Sequence, residues 1–250
     1  AELATEDSEL SQARDLWQQA CEQASSPFGK IQYLIGFSRF ELKELQQATA
    51  KTLLTQALEL CQNHEFRALE SQVLDNLGLC HTLAGDHIEA LRYFRQSLQI
   101  QEGLSNLRGA VINYHNIGDA HFFLDDLGRA NLAFNRSLQL AKDLEWTELM
   151  ILNRLFLACI EKMRLENEGA DQPETAFEET CQEALLHDNA DLRSTAYWIA
   201  GRHAHHAGAL QKANELLTEG LQFAQQHRRV ILGQRIRQEL AGLQTAACDD

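Results

Sequence analysis

Residues 71–110 and 111–150 lie over one another without a gap, and ten positions agree: Asn76/Asn116, Gly78/Gly118, His81/His121, Asp86/Asp126, Ala90/Ala130, Phe94/Phe134, Ser97/Ser137, Leu98/Leu138, Gln99/Gln139 and Leu104/Leu144. A forty-residue period is too short for a duplicated globular domain, which would return after about a hundred residues or more. A coiled coil would keep one heptad phase, whereas this chain changes phase every fifteen to twenty residues. The arrangement that satisfies the pattern is a stack of helical hairpins, each hiding its apolar face against its neighbours.

The matching positions also say how the helices meet. Gly78 and Gly118 each stand twelve residues before an alanine, and Ala90, Phe94, Ser97 and Leu98 follow at helical spacing. That spacing is the stripe of an amphipathic helix, and the small residues let two antiparallel helices approach closely. "LAGDH" (83–87) and "FLDDLG" (123–128) read as the turns between them. Upstream the same grid holds Ser38, Ala50, Leu54, Ala57 and Leu58; near the C-terminus it holds Gly201, Ala213, Leu217, Gly220 and Leu221. Between them Ala158 takes the glycine position, and an insertion at 164–175 lengthens the turn before a helix with Cys181, Ala184 and Leu185.

The expected fold is therefore all-α: a right-handed α-solenoid of about five antiparallel hairpins, over 31–70, 71–110, 111–150, 151–193 and 194–229. Single helices flank it at 8–24, with Ala13, Trp17 and Ala20 on the grid, and at 230–248, which caps the open end. The whole of 1–250 reads as one domain. Only Pro27 and Pro173 occur, as suits a nearly all-helical chain.

On these residues the chain resembles the tetratricopeptide repeat. Gly78, Ala90, Phe94 and Ser97 match its packing positions, as do Gly118, Ala130, Phe134 and Ser137, and more loosely Gly201, Ala213, Leu217 and Gly220. The chain departs from the family in three ways. The usual Trp early in the first helix is Leu74, Tyr114 or Tyr197, the terminal Pro is missing, and the period is forty instead of about thirty-four. This longer, Pro-less form is similar to repeats of bacterial signalling and regulatory proteins, which implies a regulatory module joined to an output domain. The last helix, running to "AACDD" without a Gly or Pro stop, supports that expectation. The resemblance also implies that Asn76 and Asn116 hold peptide backbone. The Lys/Arg partners that grip a terminal carboxylate in chaperone-binding members are not seen beside them.

Composition narrows the function. With 22 Lys+Arg against 36 Asp+Glu the formal net charge is −14, the wrong sign for gripping nucleic acid or anionic lipid. No apolar run reaches the length of a membrane span, and no signal peptide is visible. The six cysteines include no CxxC pair and read as small buried residues of a reducing, cytoplasmic protein.

The reagents of an enzyme are missing. GxxxxGK, GxGxxG, GxSxG and HExxH do not occur, so no catalytic residue and no cofactor is expected. His203 and His206 share a helix face, but no nearby Cys pair completes a zinc site. Glu166, Glu168 and Asp171 lack EF-hand spacing. His81 and His121 repeat with the packing grid and read as packing residues. Arg228, Arg229, Arg235 and Arg237 form a basic cluster that reads as a solvated helix face, with an anion site as the alternative.

A hairpin stack curves, and its first helices line the concave side. Positions three and two before the small residue, one after it, and four or five after it lie on one helical face. They give Arg39 in the first hairpin, Asp75, Asn76, Leu79 and Thr82 in the second, and His115, Asn116, Asp119, Phe122 and Phe123 in the third. The fourth gives Leu155, Phe156, Lys162 and Met163, and the fifth Trp198, Arg202, His205 and His206. Phe122, Phe123 and Trp198 are either exposed anchors for a partner or part of the core. The expected activity is non-catalytic binding of a peptide or protein partner in this groove. A small-molecule or metal receptor is the alternative, and the terminal helices offer a route to a homodimer.

Overall fold

The structure is a computed structural model that describes residues 2–169 and 176–246. Asp171, Pro173 and Cys248 lie outside the described residues. Among those described there are twelve helices and no strand. In chain order they are α1 (Glu2–Gln23), α2 (Pro27–Lys43), α3 (Gln47–Asn63), α4 (Arg67–Leu83), α5 (His87–Gly103) and α6 (Leu107–Phe123). Then come α7 (Leu127–Asp143), α8 (Thr147–Asn167), α9 (Ala176–Leu186), α10 (Ala190–His206), α11 (Leu210–Gln226) and α12 (Val230–Ala246). The fold is the expected all-α solenoid of consecutively packed hairpins. By packing, the helices form two compact units, 1–109 and 110–250.

The forty-residue period contains a shorter one. Helices α2 to α8 start twenty residues apart, at 27, 47, 67, 87, 107, 127 and 147. The spacing returns at 190, 210 and 230. The turns at this spacing are built alike. One residue takes the left-handed conformation, and the next N–H returns to a carbonyl five residues back, the helix-ending Schellman arrangement. The bonds run from Gln46 N to Glu41 O (2.8 Å), Phe66 N to Cys61 O (2.9 Å), Asp86 N to His81 O (2.9 Å) and Asp126 N to His121 O (3.0 Å), among others. Glycine fills the left-handed site at Gly85 and Gly208, but Leu45, Glu65, Ser105, Asp125, Glu145 and Arg228 occupy it elsewhere with φ of 52–59°. A Cβ is unfavourable there. Glu145→Gly is therefore expected to raise stability by about 0.5 kcal/mol, relief of strain outweighing the glycine's chain entropy. A lower melting temperature in calorimetry would contradict this.

Within each hairpin the narrow joint differs in one respect from the sequence expectation. The residue seated on the glycine is the large apolar side chain sixteen positions later, not the alanine at twelve. A Cβ on Gly78 would stand 2.4 Å from Phe94 Cε1, one on Gly118 2.7 Å from Phe134 Cδ1, and one on Gly201 2.5 Å from Leu217 Cγ. The small Ser position is a hydrogen-bonding site as well. Ser97 Oγ donates to Ser71 O and Ser137 Oγ to Val111 O, each at 3.0 Å and buried. These bonds tie the second helix to a carbonyl of the first.

In unit 1, Trp17 of α1 covers Gly36, and Arg14 donates to the buried carboxylate of Glu41 at 2.8 Å. In unit 2 the first residues of the insertion are helical, because α8 continues through Asn167. Glu166 and Glu168 are bound to His203 and Arg164 respectively. Asn189 starts α10 by accepting from Asp191 N (2.9 Å) and Leu192 N (3.1 Å). The last helix, α12, packs on α10 and α11 with Ile236 buried. It occupies the place of a further first helix. The described cysteines are free thiols, and burial pushes Cys80 and Cys181 up to about 12, which keeps them unreactive.

Candidate functional site

The first helices of unit 2 are α6, α8, α10 and α12, and they form one layer. His115 of α6 bonds Asn153 of α8 at 3.0 Å. Phe122 of α6 meets Phe156 of α8 edge-on at 5.4 Å, and α10 packs against both α8 and α12. The outer members of this layer also meet. Arg235 of α12 donates through Nη2 to Asp119 Oδ2 at 2.8 Å and through Nη1 to Oδ1 at 3.4 Å. Helix axes pack about 8–10 Å apart, so a flat layer would hold α6 and α12 about 24–30 Å from each other. That is well beyond the combined reach of an arginine and an aspartate. The face between them must be concave.

Charged groups and rings fill the concavity. Arg202 lies 5.2 Å from the centre of Phe122 and 5.1 Å from that of Phe123. Arg235 lies 5.4 Å from Phe123 and 5.6 Å from Trp198. Phe123 stacks on Trp198 with centroids 5.1 Å apart and planes 23° apart. Glu239 of α12 accepts from Arg202 Nη1 at 3.4 Å and is bound to His205 Nδ1 at 3.2 Å, while Asp125 stands 3.7 Å from Arg202. Asp119, Phe123, Trp198, Arg202 and His205, placed on one face by spacing alone, are thus brought together.

A profile for the tetratricopeptide repeat matches residues 28–103 and 69–143. Comparison with curated protein sequences gives no match. Among solved structures, the chain is similar to aspartyl phosphate phosphatase F from Bacillus subtilis: 17% identity, TM-score 0.68, covering 90% of this chain and 55% of that one. It is also similar to the Rap conjugation gene regulator of plasmid pLS20 in complex with the Phr* peptide, at 14% identity and TM-score 0.70, covering 89% and 57%. A signal transduction ATPase with a tetratricopeptide repeat sensor from Pyrococcus horikoshii matches at 14% identity and TM-score 0.62, covering 98% and 42%. The chain therefore spans about half the length of these proteins, and at such identities the likeness is one of fold. The chain is a tetratricopeptide-like helical repeat protein.

Within this tetratricopeptide-like scaffold the remaining candidates fare unequally. Phe122 and Trp198 are core residues, 1% and 0% exposed, and so are not the exposed anchors that one reading of the sequence allowed; Phe123 is half-buried. Thr82 is buried and donates to Gly78 O at 3.1 Å, which removes it from the lining. Asn76 donates to Gln72 O at 2.8 Å and accepts from Arg39 Nε at 3.4 Å. Its amide is therefore spent within unit 1, and Asp75 is half-buried one residue before it. Asn116 differs: it is half-buried, and its side chain has no hydrogen-bond partner among the described residues. Lys162 pairs with Glu178 and stands 5.5 Å from the Phe177 ring, at the α8–α9 joint. His206 is exposed at the end of α10. No group of three metal-ligating side chains occurs among the described residues.

Three members of the face were not anticipated: Arg235, Glu239 and Asp125. Glu239 stands two residues before Ala241, the small position of α12, so the spacing rule applied to the last helix finds it. The sequence reads Arg235 as part of a solvated basic cluster or an anion site; in the structure it faces inward onto the Asp119 carboxylate. Arg229 is also engaged, 3.5 Å from Asp191.

Burial lowers the pKa of His115 below its ordinary value of 6.5, against the opposing pull of Asp119 and of the bond to Asn153. Burial lowers His203 in the same way, against Glu166. A lowered histidine favours the neutral folded form. The unfolded chain takes up its proton near pH 6.5 while the folded one does not, so stability is full above that pH and falls as pH drops through the folded values. Urea midpoints should be lower at about pH 5.5 than at about pH 7.5, with His115→Gln reducing the difference. A higher midpoint on the acid side would reverse the sign.

Proposed function

We propose that the chain is a non-catalytic interaction module that takes an extended peptide or protein segment on the concave first-helix face of unit 2, and that it serves as the regulatory part of a larger signalling protein. The observation that carries this reading is the bridge from Asp119 to Arg235, which makes the face concave. Its lining also differs from helix to helix, while the packing positions Gly78, Gly118 and Gly201 agree. The Rap regulator of similar fold is in complex with the Phr* peptide, and the archaeal ATPase carries its repeats as a sensor. Both support a binding role.

Asn116 and Phe123 are the natural contacts, a half-exposed amide for backbone groups and a half-buried ring for an apolar side chain. Selection from a displayed peptide library on the purified protein should enrich binders. Asn116→Ala with Phe123→Ala should weaken these by about tenfold or more, about 1.4 kcal/mol, with the helical spectrum unchanged. Enriched peptides that bound the double variant as well as the wild type would remove the site from this face.

A further inference from the structure

Asp119, Phe123, Trp198, Arg202, Arg235 and Glu239 form a box on the concave face of unit 2 with spare hydrogen-bond donors and engaged acceptors. Trp198 Nε1, Arg202 Nε and Arg235 Nε are buried without an acceptor, although Trp198 is 0% and Arg202 9% exposed. Native structures rarely leave such groups unmet. The acceptors, by contrast, are in use: Asp119 by Arg235, and Glu239 by Arg202 and His205. A ligand that completes this box must bring oxygen atoms. A carboxylate would add a fourth negative charge to those of Asp119, Asp125 and Glu239, in a chain of net charge −14. The carbonyl oxygens of a peptide backbone bring none.

Arg235 shows which side chain the box is shaped to hold. Its guanidinium forks onto Asp119 with both Nη atoms and lies 5.4–5.6 Å from the ring centres of Phe123 and Trp198. A planar fork meeting a carboxylate beside a stacked pair of aromatic rings is an arrangement that suits arginine better than lysine. It is supplied by the chain itself, from a helix 116 residues away. We propose that this box is a guanidinium subsite, filled by Arg235 in the unbound protein, and that an arginine of an extended partner segment takes the place of Arg235 while backbone carbonyls of that segment accept from Trp198 Nε1 and Arg202 Nε. The inference rests on the peptide-binding reading above and goes beyond it by naming the residue that is recognised. Exchange of one guanidinium for another keeps the ion pair, and the released Arg235 regains water. The negative chain draws a basic segment in.

The test uses an acetylated, amidated peptide of alanines with one central arginine, and its citrulline twin, which keeps the planar shape but replaces one of the two terminal donor groups by a carbonyl oxygen and loses the charge. Calorimetric titration of the wild type should show the arginine peptide binding more tightly than the citrulline one. Arg235→Ala empties the subsite, so the arginine peptide should bind that variant about tenfold more tightly than the wild type, since the self-occupied fraction no longer competes. Arg235→Gln replaces it if the alanine variant loses its native circular-dichroism spectrum. Equal binding of the two peptides would leave the groove reading intact and overturn the guanidinium subsite. The subsite also falls if neither peptide binds any of the proteins, or if a glutamate-centred peptide is preferred.

Discussion

Phe134→Ala is expected to lower the unfolding free energy by about 3–5 kcal/mol, the usual range for truncating a buried aromatic to alanine. The ring is 0% exposed and lies over Gly118, whose missing side chain makes room for it. On its other side it stacks on Phe156 of α8 with centroids 4.5 Å apart, and it meets His115 of α6 at 5.4 Å. Three helices thus converge on one side chain. Deleting it leaves a hole that cannot close easily, because Gly118 has nothing to offer and Phe156 is fixed by Phe122 and Trp198. The measurement is urea unfolding followed by circular dichroism. Leu132→Ala, on the same helix but 73% exposed, should change stability by less than about 0.5 kcal/mol. Similar losses at both sites would mean that α7 faces the other way.

Much of this joint was readable beforehand. Gly118, Ala130, Phe134 and Ser137 recur from Gly78, Ala90, Phe94 and Ser97 because one docking geometry is used twice, and identical geometry demands identical side chains. The partner of the glycine was harder to name. Spacing shows that a small residue is needed without showing which neighbour fills the space, and it was the phenylalanine. The twenty-residue unit escaped notice because its signal is a backbone angle. Leu45, Glu65 and Glu145 take up a left-handed turn for which glycine is the usual marker. Helix α8 outran its expected end for a similar reason: no glycine or proline interrupts it before Gly169.

The site was legible in part, and the errors share a cause. Helical spacing places a residue on a face but does not say how deep that face is buried. Thr82 and Trp198 stand at lining positions, yet neighbouring helices cover them. Asn76 and Asn116 look equivalent, but Arg39 engages one and no side-chain partner engages the other. Arg235 looked like surface charge because its carboxylate partner is 116 residues away. A repeat grid compares neighbours and is blind to a contact between first and last.

That contact gives the second large expectation. Asp119→Ala should destabilise the protein by about 2–4 kcal/mol, somewhat under the 3–5 typical of stripping one partner from a fully buried ion pair. The discount follows from Arg235, whose side chain keeps 14% exposure against 8% for Asp119, and whose guanidinium retains the rings of Phe123 and Trp198. The loss should be conditional. Once Arg235→Met has replaced the guanidinium by an apolar chain, Asp119→Ala should cost little, because no uncompensated charge is left behind. A double-mutant cycle by urea unfolding isolates this coupling. The pair also joins the outermost first helices of unit 2, so its removal should loosen α12 before it unfolds the hairpins. Limited proteolysis should accordingly cut first near Arg228 and Arg229, in the turn before α12, while the bulk helical signal stays unchanged. A single-variant cost below about 0.5 kcal/mol would class the pair with ordinary surface ion pairs. The curvature of the face would then have to be held by the aromatic packing of Phe122, Phe156 and Trp198 alone.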